Sequence, residues 1–327
     1  MKPKKRRQRA KREKLVILYE DRHILVAVKP PGMLSQGDIT RAPDMLTEIK
    51  EILWEKSGQT RRPFLALVHR LDRPTSGLMV FARSSKAASR LGKAFRTHQV
   101  VREYVAITRG IPEETGVFSD LISKEIATSG RVQVKQERRD EEAFQDKEKH
   151  VEKHDIRNER DGGHQGHIGV HDSKGLKAHT LQEERLQARL KRPDLGAPQN
   201  QKSRPARKEW LEASLSWKRL STDWQRDESL LLVTLSTGRK HQIRAQFAAN
   251  GMPLLGDRRY GKGDARDRSV PTVALHACRL TFMHPVDKTI CTFNSLPDLN
   301  PSFSDRDGIV LKGALERHKP DLSHLSL

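Results

Sequence analysis

A long polar stretch divides this chain into two parts that carry most of its apolar residues. Residues 125–207 contain a single aromatic residue, Phe144, and are dense in Lys, Arg, Glu, Gln, Asp and His. A segment of this composition cannot bury enough apolar surface to offset the conformational entropy that ordering it would cost. We therefore predict a hydrophilic, largely disordered insertion at 125–207 that loops out of a single folded domain built from 16–124 and 208–300.

The two apolar parts are rich in short runs of β-branched and aliphatic residues that are bounded by Gly, Pro and Asp. Such runs are typical of strands. Helical spacing follows Ser84, a good N-cap, and a second short helix is predicted in "HQIRAQFAANG". Short connections between successive strands favour an α+β fold with a mixed, mostly antiparallel sheet and flanking helices. The predicted strands include "ILVAVKPPGM", "GLMVFAR", "EYVAITRG", "EASLSWKRL", "SLLLVTLSTGR" and "VALHACRLTFMHP".

The two ends of the chain are predicted to lie outside this domain. Residues 1–15 form a basic arm without apolar periodicity, which we interpret as a disordered tail that solubilises the protein, adds phosphate contacts, or does both. No apolar segment follows the arm, so it is not a secretory signal. Residues 301–327 are assigned to a C-terminal tail.

The charge of the chain points to a polyanionic partner. The formal net charge is +20, for which nucleic acid is the commonest partner and an anionic membrane surface the alternative. No stretch approaches the roughly 18 apolar residues of a membrane-spanning helix. The only two cysteines, Cys278 and Cys291, are too few for a disulfide scaffold or a zinc site, so we expect a reducing intracellular setting with both thiols in the core.

Histidines are frequent in the insertion, which raises the question of a metal. Residues 125–207 hold six of the fourteen histidines, yet no carboxylate or cysteine pattern accompanies them, which favours a solvated linker. They are His150, His154, His164, His167, His171 and His179.

The stretch "HRLDRPTSGLMVFAR", residues 69–83, places one carboxylate between two guanidinium groups at the start of an apolar strand. Asp72 should stay ionised between Arg70 and Arg73, because nearby cations favour the charged form. An ionised carboxylate suits a nucleophile or a general base. The structural alternative is that Asp72 caps the following turn or forms a buried ion pair.

Two further stretches combine basic residues with features of a binding site. In "TGRKHQIR", residues 237–244, the basic side chains crowd the start of a helix, where an anion would be stabilised. That anion could be an RNA phosphate, the side chain of Asp72, or both; a generic basic helix is the alternative. In "VREYVAITRG", Tyr104 could stack on a base or belong to the core.

Taken together, these stretches resemble the RluA-type family of pseudouridine synthases. The family signature is similar to "HRLDRxTSGLLVFAK", and the further matches "ILVAVKPPGM", "VREYVAI", "TGRKHQIRAQ", "PLLGDRRYG" and "LHACRLTFMHP" occur in the family's order. Bacterial members often carry an N-terminal S4 domain, whereas this chain resembles the short form without it.

The resemblance implies a substrate, a reaction and a set of site residues. The substrate would be a uridine in RNA, flipped out of its stack, whose N1–C1′ bond is exchanged for a C5–C1′ bond without a cofactor or metal. Asp72 matches the catalytic aspartate, which either attacks C1′ or abstracts a ribose proton. Arg70 matches the residue that fills the vacated stack, Tyr104 the aromatic that packs on the flipped base, and Arg244 the basic partner of the aspartate.

Other residues are predicted with less specific roles. His69 and Arg73 are expected to contact RNA or to support the loop. The remaining candidates are Arg239, Lys240 and His241 for RNA contact, and Ile243, Leu255 and Leu280 for the uracil pocket.

These observations predict an RNA pseudouridine synthase, an isomerase, that acts on a specific uridine in tRNA or large-subunit rRNA. An RNA-binding or ribosome-assembly protein that kept the fold without turnover is the alternative, and a DNA- or membrane-associated basic protein is a third possibility. We expect RNA as partner, neither DNA nor membrane, and a monomer. The expected location is cytoplasmic, bacterial by default, with an organelle or the nucleus as alternatives.

Overall fold

The computed structural model describes residues 15–40, 42–58, 60, 62–124, 130–136, 209–323 and 325. The predicted basic arm before Leu15 and most of the predicted insertion lie outside the described residues, together with the insertion's histidines. The strands are β1 Val16–Glu20, β2 Ile24–Lys29, β3 Ala66–Leu67, β4 Ser76–Ala82, β5 Val100–Arg109, β6 Thr115–Ser123, β7 Val134–Gln136, β8 Trp210–Asp223, β9 Glu228–Leu235, β10 Leu275–Met283 and β11 Ile290–Asn294. The helices are α1 Met45–Ser57, α2 Ser85–Arg96, α3 Gln242–Ala249, α4 Ala265–Ser269 and α5 Asp305–Arg317.

The described strands form one eleven-stranded sheet in the order β1-β2-β4-β10-β5-β9-β8-β6-β7, with β11 paired to β10 and β3 paired to β4. Every pairing is antiparallel except the one between β4 and β10. The prediction of a mixed, mostly antiparallel α+β fold is therefore confirmed. Strand β8, which follows the insertion, pairs with β6, which precedes it, so both parts of the chain build the same sheet.

The parallel contact between β4 and β10 depends on one glycine. Gly77 pairs with Ala277 and has φ +117°, a conformation that side chains disfavour. A Cβ atom at Gly77 would lie 2.4 Å from the backbone nitrogen of Ala277. This close approach lies five residues after Asp72 and places the loop that carries Asp72 at the middle of the sheet.

Both faces of the sheet are covered, which explains why its central strands are continuously apolar. In β2, Leu25 and Ala27 pack with α1, whereas Ile24 and Val26 belong to a second cluster with α2. Ser84 caps α2 by accepting a hydrogen bond from the Ala87 amide at 3.2 Å, as predicted. Of the cysteines, Cys278 is buried in the cluster that α5 joins, and Cys291 packs, half-buried, against the α2 cluster.

Two boundaries predicted from the sequence need correction. The segment 301–327, expected to be a tail, contains α5, whose Leu311 and Leu315 are buried against Val105 of β5. The helix is ordered because that burial offsets its entropy cost, and because Ser304 and Asp307 form a capping box at its start. Within the predicted insertion, β7 extends the sheet by pairing with the edge of β6, a long-range contact that its own polar composition did not indicate.

Among the described residues, no helix has the length and apolar character needed to cross a membrane.

Candidate active site

Asp72 lies in a loop between β3 and β4, residues 68–75, which we call the Asp72 loop. Its side chain is 23 % exposed. Hydrogen bonds fix the backbone on both sides: the Ser35 hydroxyl donates to the Leu71 carbonyl at 2.8 Å and accepts from its amide at 3.1 Å. The Thr272 hydroxyl donates to the Pro74 carbonyl at 3.1 Å. The carboxylate is therefore presented by a loop that is tied to two other segments.

A fully buried lysine at the end of β2 completes this support. The Lys29 ammonium donates to the carbonyls of Pro30 at 3.0 Å, Met33 at 2.8 Å and Arg73 at 3.0 Å. Burial lowers the pKa of Lys29 to about 7, although the nearby carboxylate of Asp72 opposes this shift. Lys29 thus binds the "KPPGM" turn to the Asp72 loop.

Arg244, on α3, contacts two carboxylates. Its Nη1 lies 3.0 Å from Asp72 Oδ2, while Nε and Nη2 lie 2.7 and 2.8 Å from the two oxygens of Asp257. Burial alone would raise the pKa of Asp257, but the hydrogen bonds and charge of Arg244 lower it overall. For Arg244, burial favours a lower pKa, yet both carboxylates raise it well above its usual value. The buried guanidinium is therefore a fixed cation directed at Asp72.

His241 stands on the other side of Asp72. Its Nε2 is 3.8 Å from Asp72 Oδ1, and its Nδ1 is 2.9 Å from the hydroxyl of Tyr260. Burial lowers the pKa of His241, while Asp72 opposes and Arg244 supports that shift. The Arg244 guanidinium also lies 5.3 Å from the centre of the Tyr260 ring. These contacts give Asp72 a basic neighbour on each oxygen.

An open cleft of about 940 Å³ leads to Asp72. Tyr104 is buried at its base and Arg70 is exposed at its edge. A smaller recess of about 70 Å³ adjoins Asp72 and Tyr104 and is lined by apolar Leu235, Ile243 and Leu275. The cleft is lined by Arg70, Asp72, Arg102, Tyr104, Arg239 and Lys240, among others.

The three residues predicted for the uracil pocket lie in different parts of the fold. Ile243 lines the recess beside Asp72 and Tyr104. Leu255 and Leu280 do not: Leu255 packs in the α5 cluster and Leu280 in the α2 cluster. These two predictions were wrong, because sequence proximity to matching motifs does not reveal which cluster a side chain joins.

His69 and Arg73 make contacts within the protein. His69 Nε2 accepts a hydrogen bond from the Val80 amide at 3.0 Å, and its ring stacks on Phe95 at 4.5 Å. Burial lowers the pKa of His69 to about 3, which agrees with a neutral ring that accepts. Arg73 Nε donates to the Gly32 carbonyl at 2.9 Å. His69 and Arg73 were predicted either to contact RNA or to support the loop. The contacts within the protein agree with support of the loop.

The family was established by comparison with known proteins. A sequence model of the family described as RNA pseudouridylate synthase matches residues 23–249, more than half of the chain. The chain belongs to the RNA pseudouridylate synthase family. The prediction of an isomerase of the RluA-type pseudouridine synthase class is thereby confirmed.

Individual relatives in this family align over most of the chain. A tRNA pseudouridine synthase C from Vibrio cholerae is 28 % identical over 278 residues, which cover 83 % of this chain and 86 % of that protein. The dual-specificity RNA pseudouridine synthase RluA from Escherichia coli is 27 % identical over 290 residues, 87 % of this chain and 94 % of that protein. The solved structure of human RNA pseudouridylate synthase domain containing 4 shares the fold, with a TM-score of 0.56 at 22 % identity, covering 91 % of this chain and 93 % of the human one.

Several residues around Asp72 were not predicted as site residues. Asp257 and Tyr260 lie in "PLLGDRRYG", and Lys29 lies in "ILVAVKPPGM", two stretches that carried the family resemblance. An aspartate beside arginines in the first stretch was a usable signal for a partner of Arg244. Among the described residues, no group of three or more His, Cys, Asp and Glu side chains could hold a metal ion.

Proposed function

We propose that this member of the pseudouridine synthase family isomerises a specific uridine in tRNA or rRNA to pseudouridine, with Asp72 as its catalytic carboxylate. The observation that carries the proposal is the position of Asp72 at the base of an open basic cleft, 3.0 Å from a guanidinium that Asp257 fixes from behind. A preorganised carboxylate of this kind needs no rearrangement when the substrate arrives.

The reaction consists of one bond exchange. The N1–C1′ bond of the uridine breaks, the uracil turns within the site, and C5 bonds to C1′. The hydrogen on C5 leaves as a proton and N1 takes up a proton, so substrate and product are isomers. Asp72 either attacks C1′ to hold the ribose covalently or removes a ribose proton to release the base. Water is not consumed and no electron is transferred, so the reaction balances without a co-reactant.

The surrounding residues fit supporting roles. Tyr104 borders the recess of about 70 Å³ and would pack on the flipped base, with Ile243 beside it. Arg70, exposed at the edge of the cleft, would fill the vacated stack. Arg244 would orient Asp72, while Arg239 and Lys240 would contact RNA.

The choice of tRNA or rRNA follows the names of the relatives, which include a tRNA pseudouridine synthase C, a dual-specificity RNA pseudouridine synthase and a ribosomal large subunit pseudouridine synthase D. The monomeric state and the cytoplasmic location are also part of the proposal and rest on the sequence.

The direct test is tritium release from RNA labelled at uridine C5, because formation of the C5–C1′ bond expels that hydrogen. Bulk tRNA and rRNA from cells that lack the enzyme would serve as substrates, and Asp72→Asn would be the matched variant. We expect release by the wild-type protein, none by Asp72→Asn, and equal RNA binding by both. Tight binding without release from either RNA would instead support the RNA-binding protein without turnover.

A further inference from the structure

Arg102 is a cation in the cleft for which the described residues provide no counter-charge. It lies two residues before Tyr104 on β5, so both side chains leave the same face of the strand. Its Nε is buried without a hydrogen-bond partner, and among the described residues no carboxylate lies within ion-pair distance. Burial lowers the pKa of Arg102, and the charge of Arg239 lowers it further against an opposing effect of Tyr104. A largely buried charge without an anion is costly, so its retention needs a reason.

Two other basic side chains stand beside Arg102. Arg239 is held by its Nε, which donates to the Glu212 carbonyl at 2.7 Å, and by its amide, which donates to Gln242 Oε1 at 2.9 Å. These bonds leave the terminal nitrogens of Arg239 for another acceptor. Exposed His98 lines the same cleft, and its pKa is lowered by burial and then by Arg102 and Arg239. The positive charges of Arg102 and Arg239 thus repel each other, and both disfavour the protonated form of His98.

The backbone is shaped around the Arg102 guanidinium. A Cβ atom at position 238 would lie 2.2 Å from Arg102 Nη1 and 3.2 Å from its Cζ. Gly238 is therefore the residue that allows the guanidinium to rest against the chain just before Arg239. The position of the Arg102 guanidinium in the cleft therefore depends on the absence of a side chain at Gly238.

We propose that Arg102 and Arg239, with His98 at the edge, bind an RNA phosphodiester next to the target uridine. Planar guanidinium groups present paired donors that match phosphate oxygens, and such charge-assisted bonds are strong where water is partly excluded. The neighbouring Tyr104 borders the recess for the base, so a bound phosphate would belong to the target nucleotide or an adjacent one. This inference rests on the proposed function, and it adds Arg102 and His98 to the residues that recognise the substrate.

The salt dependence of RNA binding tests the contact. We expect the affinity of Arg102→Gln for single-stranded oligouridylate to fall at least about 10-fold. The slope of log affinity against log salt should become shallower by about 0.7, the contribution of one phosphate contact on a single strand. Arg239→Gln should behave alike, whereas the matched control Arg226→Gln, on the exposed hairpin between β8 and β9, should keep the wild-type slope. An unchanged slope in Arg102→Gln would overturn the subsite.

The Tm of the Arg102 variant distinguishes a role of Arg102 in RNA binding from a role in the fold. Because no carboxylate of the residues that the structure describes pairs with Arg102, Arg102→Gln should leave Tm unchanged or raise it while affinity falls. A lower Tm with wild-type affinity would assign Arg102 to the fold and overturn the proposal. Gly238→Ala is the second variant: it keeps every charge but displaces the guanidinium, so oligouridylate affinity should fall here too, and wild-type affinity would count against the subsite.

The pKa of His98, at the edge of the proposed subsite, provides an independent test. Bound phosphate would offset the repulsion from Arg102 and Arg239, so an NMR titration should show a higher His98 pKa with oligouridylate than without it. The same His98 pKa in both samples would remove this residue from the proposal. Tritium release by the wild-type protein is measured in parallel: if the slope is unchanged but release persists, the subsite fails and the proposed function stands. If the wild-type protein releases no tritium, the proposed function fails, and the assignment of this phosphate to the target uridine fails with it.

Discussion

At the scale of single residues, Arg244 is shared by two carboxylates that differ in exposure. Asp257 is 1 % exposed and takes Nε and Nη2 as a bidentate pair, which leaves Nη1 for Asp72 in the cleft. The backbone amides of Arg259 and Tyr260 donate to Asp257 in turn, at 2.9 and 3.0 Å. Asp257 is thus a positioning residue that acts on Asp72 through Arg244.

Asp257→Asn tests this role. The amide can accept only one of the two guanidinium bonds and places an NH₂ group against the other, so Arg244 should turn away from Asp72. We expect kcat for tritium release to fall about 10-fold to 100-fold with little change in KM, and the free energy of unfolding to fall by about 3 kcal/mol. The control Asp223→Asn, at an exposed turn, should match wild type in both. A wild-type kcat for Asp257→Asn would contradict the role.

Lys29 predicts a pH dependence of stability. Its pKa in the folded protein is about 7, whereas an unfolded lysine titrates near 10.4. Between these values the unfolded chain binds a proton that the folded protein does not, so the contribution of Lys29 to the free energy of unfolding rises with pH from about 7 to about 10.

The check is urea denaturation of wild type and Lys29→Met at several pH values in that window. The free energy of unfolding of wild type should rise relative to that of the variant, by at most about 1.4 kcal/mol per pH unit. Parallel pH curves would show that Lys29 titrates normally in the folded protein.

At the scale of secondary structure, the close contact between β4 and β10 allows only glycine at position 77. In Gly77→Ala, the new Cβ would meet the backbone of Ala277 at 2.4 Å and the residue would be strained at φ +117°. We expect the free energy of unfolding to fall by about 3 kcal/mol or more. The matched control is Gly308→Ala in α5, where the space is open and alanine favours the helix, so stability should rise by about 0.5–1 kcal/mol. Chemical denaturation measures both, and equal effects would refute the argument.

Helix α5 belongs to the catalytic domain because of its buried face. Leu311 is fully buried, whereas Ile309, two residues earlier, is 73 % exposed. Leu311→Ala should lower the free energy of unfolding by about 2–4 kcal/mol, and Ile309→Ala should change it by less than about 0.5 kcal/mol. If both variants unfold like wild type in urea, the helix does not contribute to the stability of the sheet.

At the scale of the whole molecule, the site is assembled from both sides of the polar insertion. Asp72 and Tyr104 precede it, and Arg244 and Asp257 follow it. Gln136 pairs with Asp120 on one side of β6 and Trp210 pairs with Ser123 on the other. The chain therefore leaves and re-enters the described region about 14 Å apart, two strand spacings across the sheet and three residues along it.

This geometry predicts that residues 138–207 can be replaced. A Gly-Ser linker of eight residues spans about 16 Å on average and would join the two ends. We expect the shortened protein to keep its Tm within a few degrees and its tritium release within about threefold, measured beside the full chain. A shortened protein that folds but releases no tritium would locate a required group within 138–207.

Features that depend on neighbouring residues in the chain could be predicted before the structure was known. Alternating and continuous apolar runs indicated the strands, Ser84 marked the start of α2, and the order of the motifs identified the family. Asp72, Tyr104, Arg244 and Ile243 could be singled out because they lie inside or beside those motifs.

Contacts between segments that are distant in the chain could be read only from the folded protein. Leu255 and Leu280 were misplaced, and α5 was overlooked, because burial depends on which element packs against a side chain. The partnership of Asp257 with Arg244, the anchoring by Lys29 and the isolation of Arg102 likewise depend on strand register and loop approach. Such contacts arise when the chain closes on itself. A local pattern can single out a candidate such as Asp257, but it does not show which distant side chain that candidate contacts.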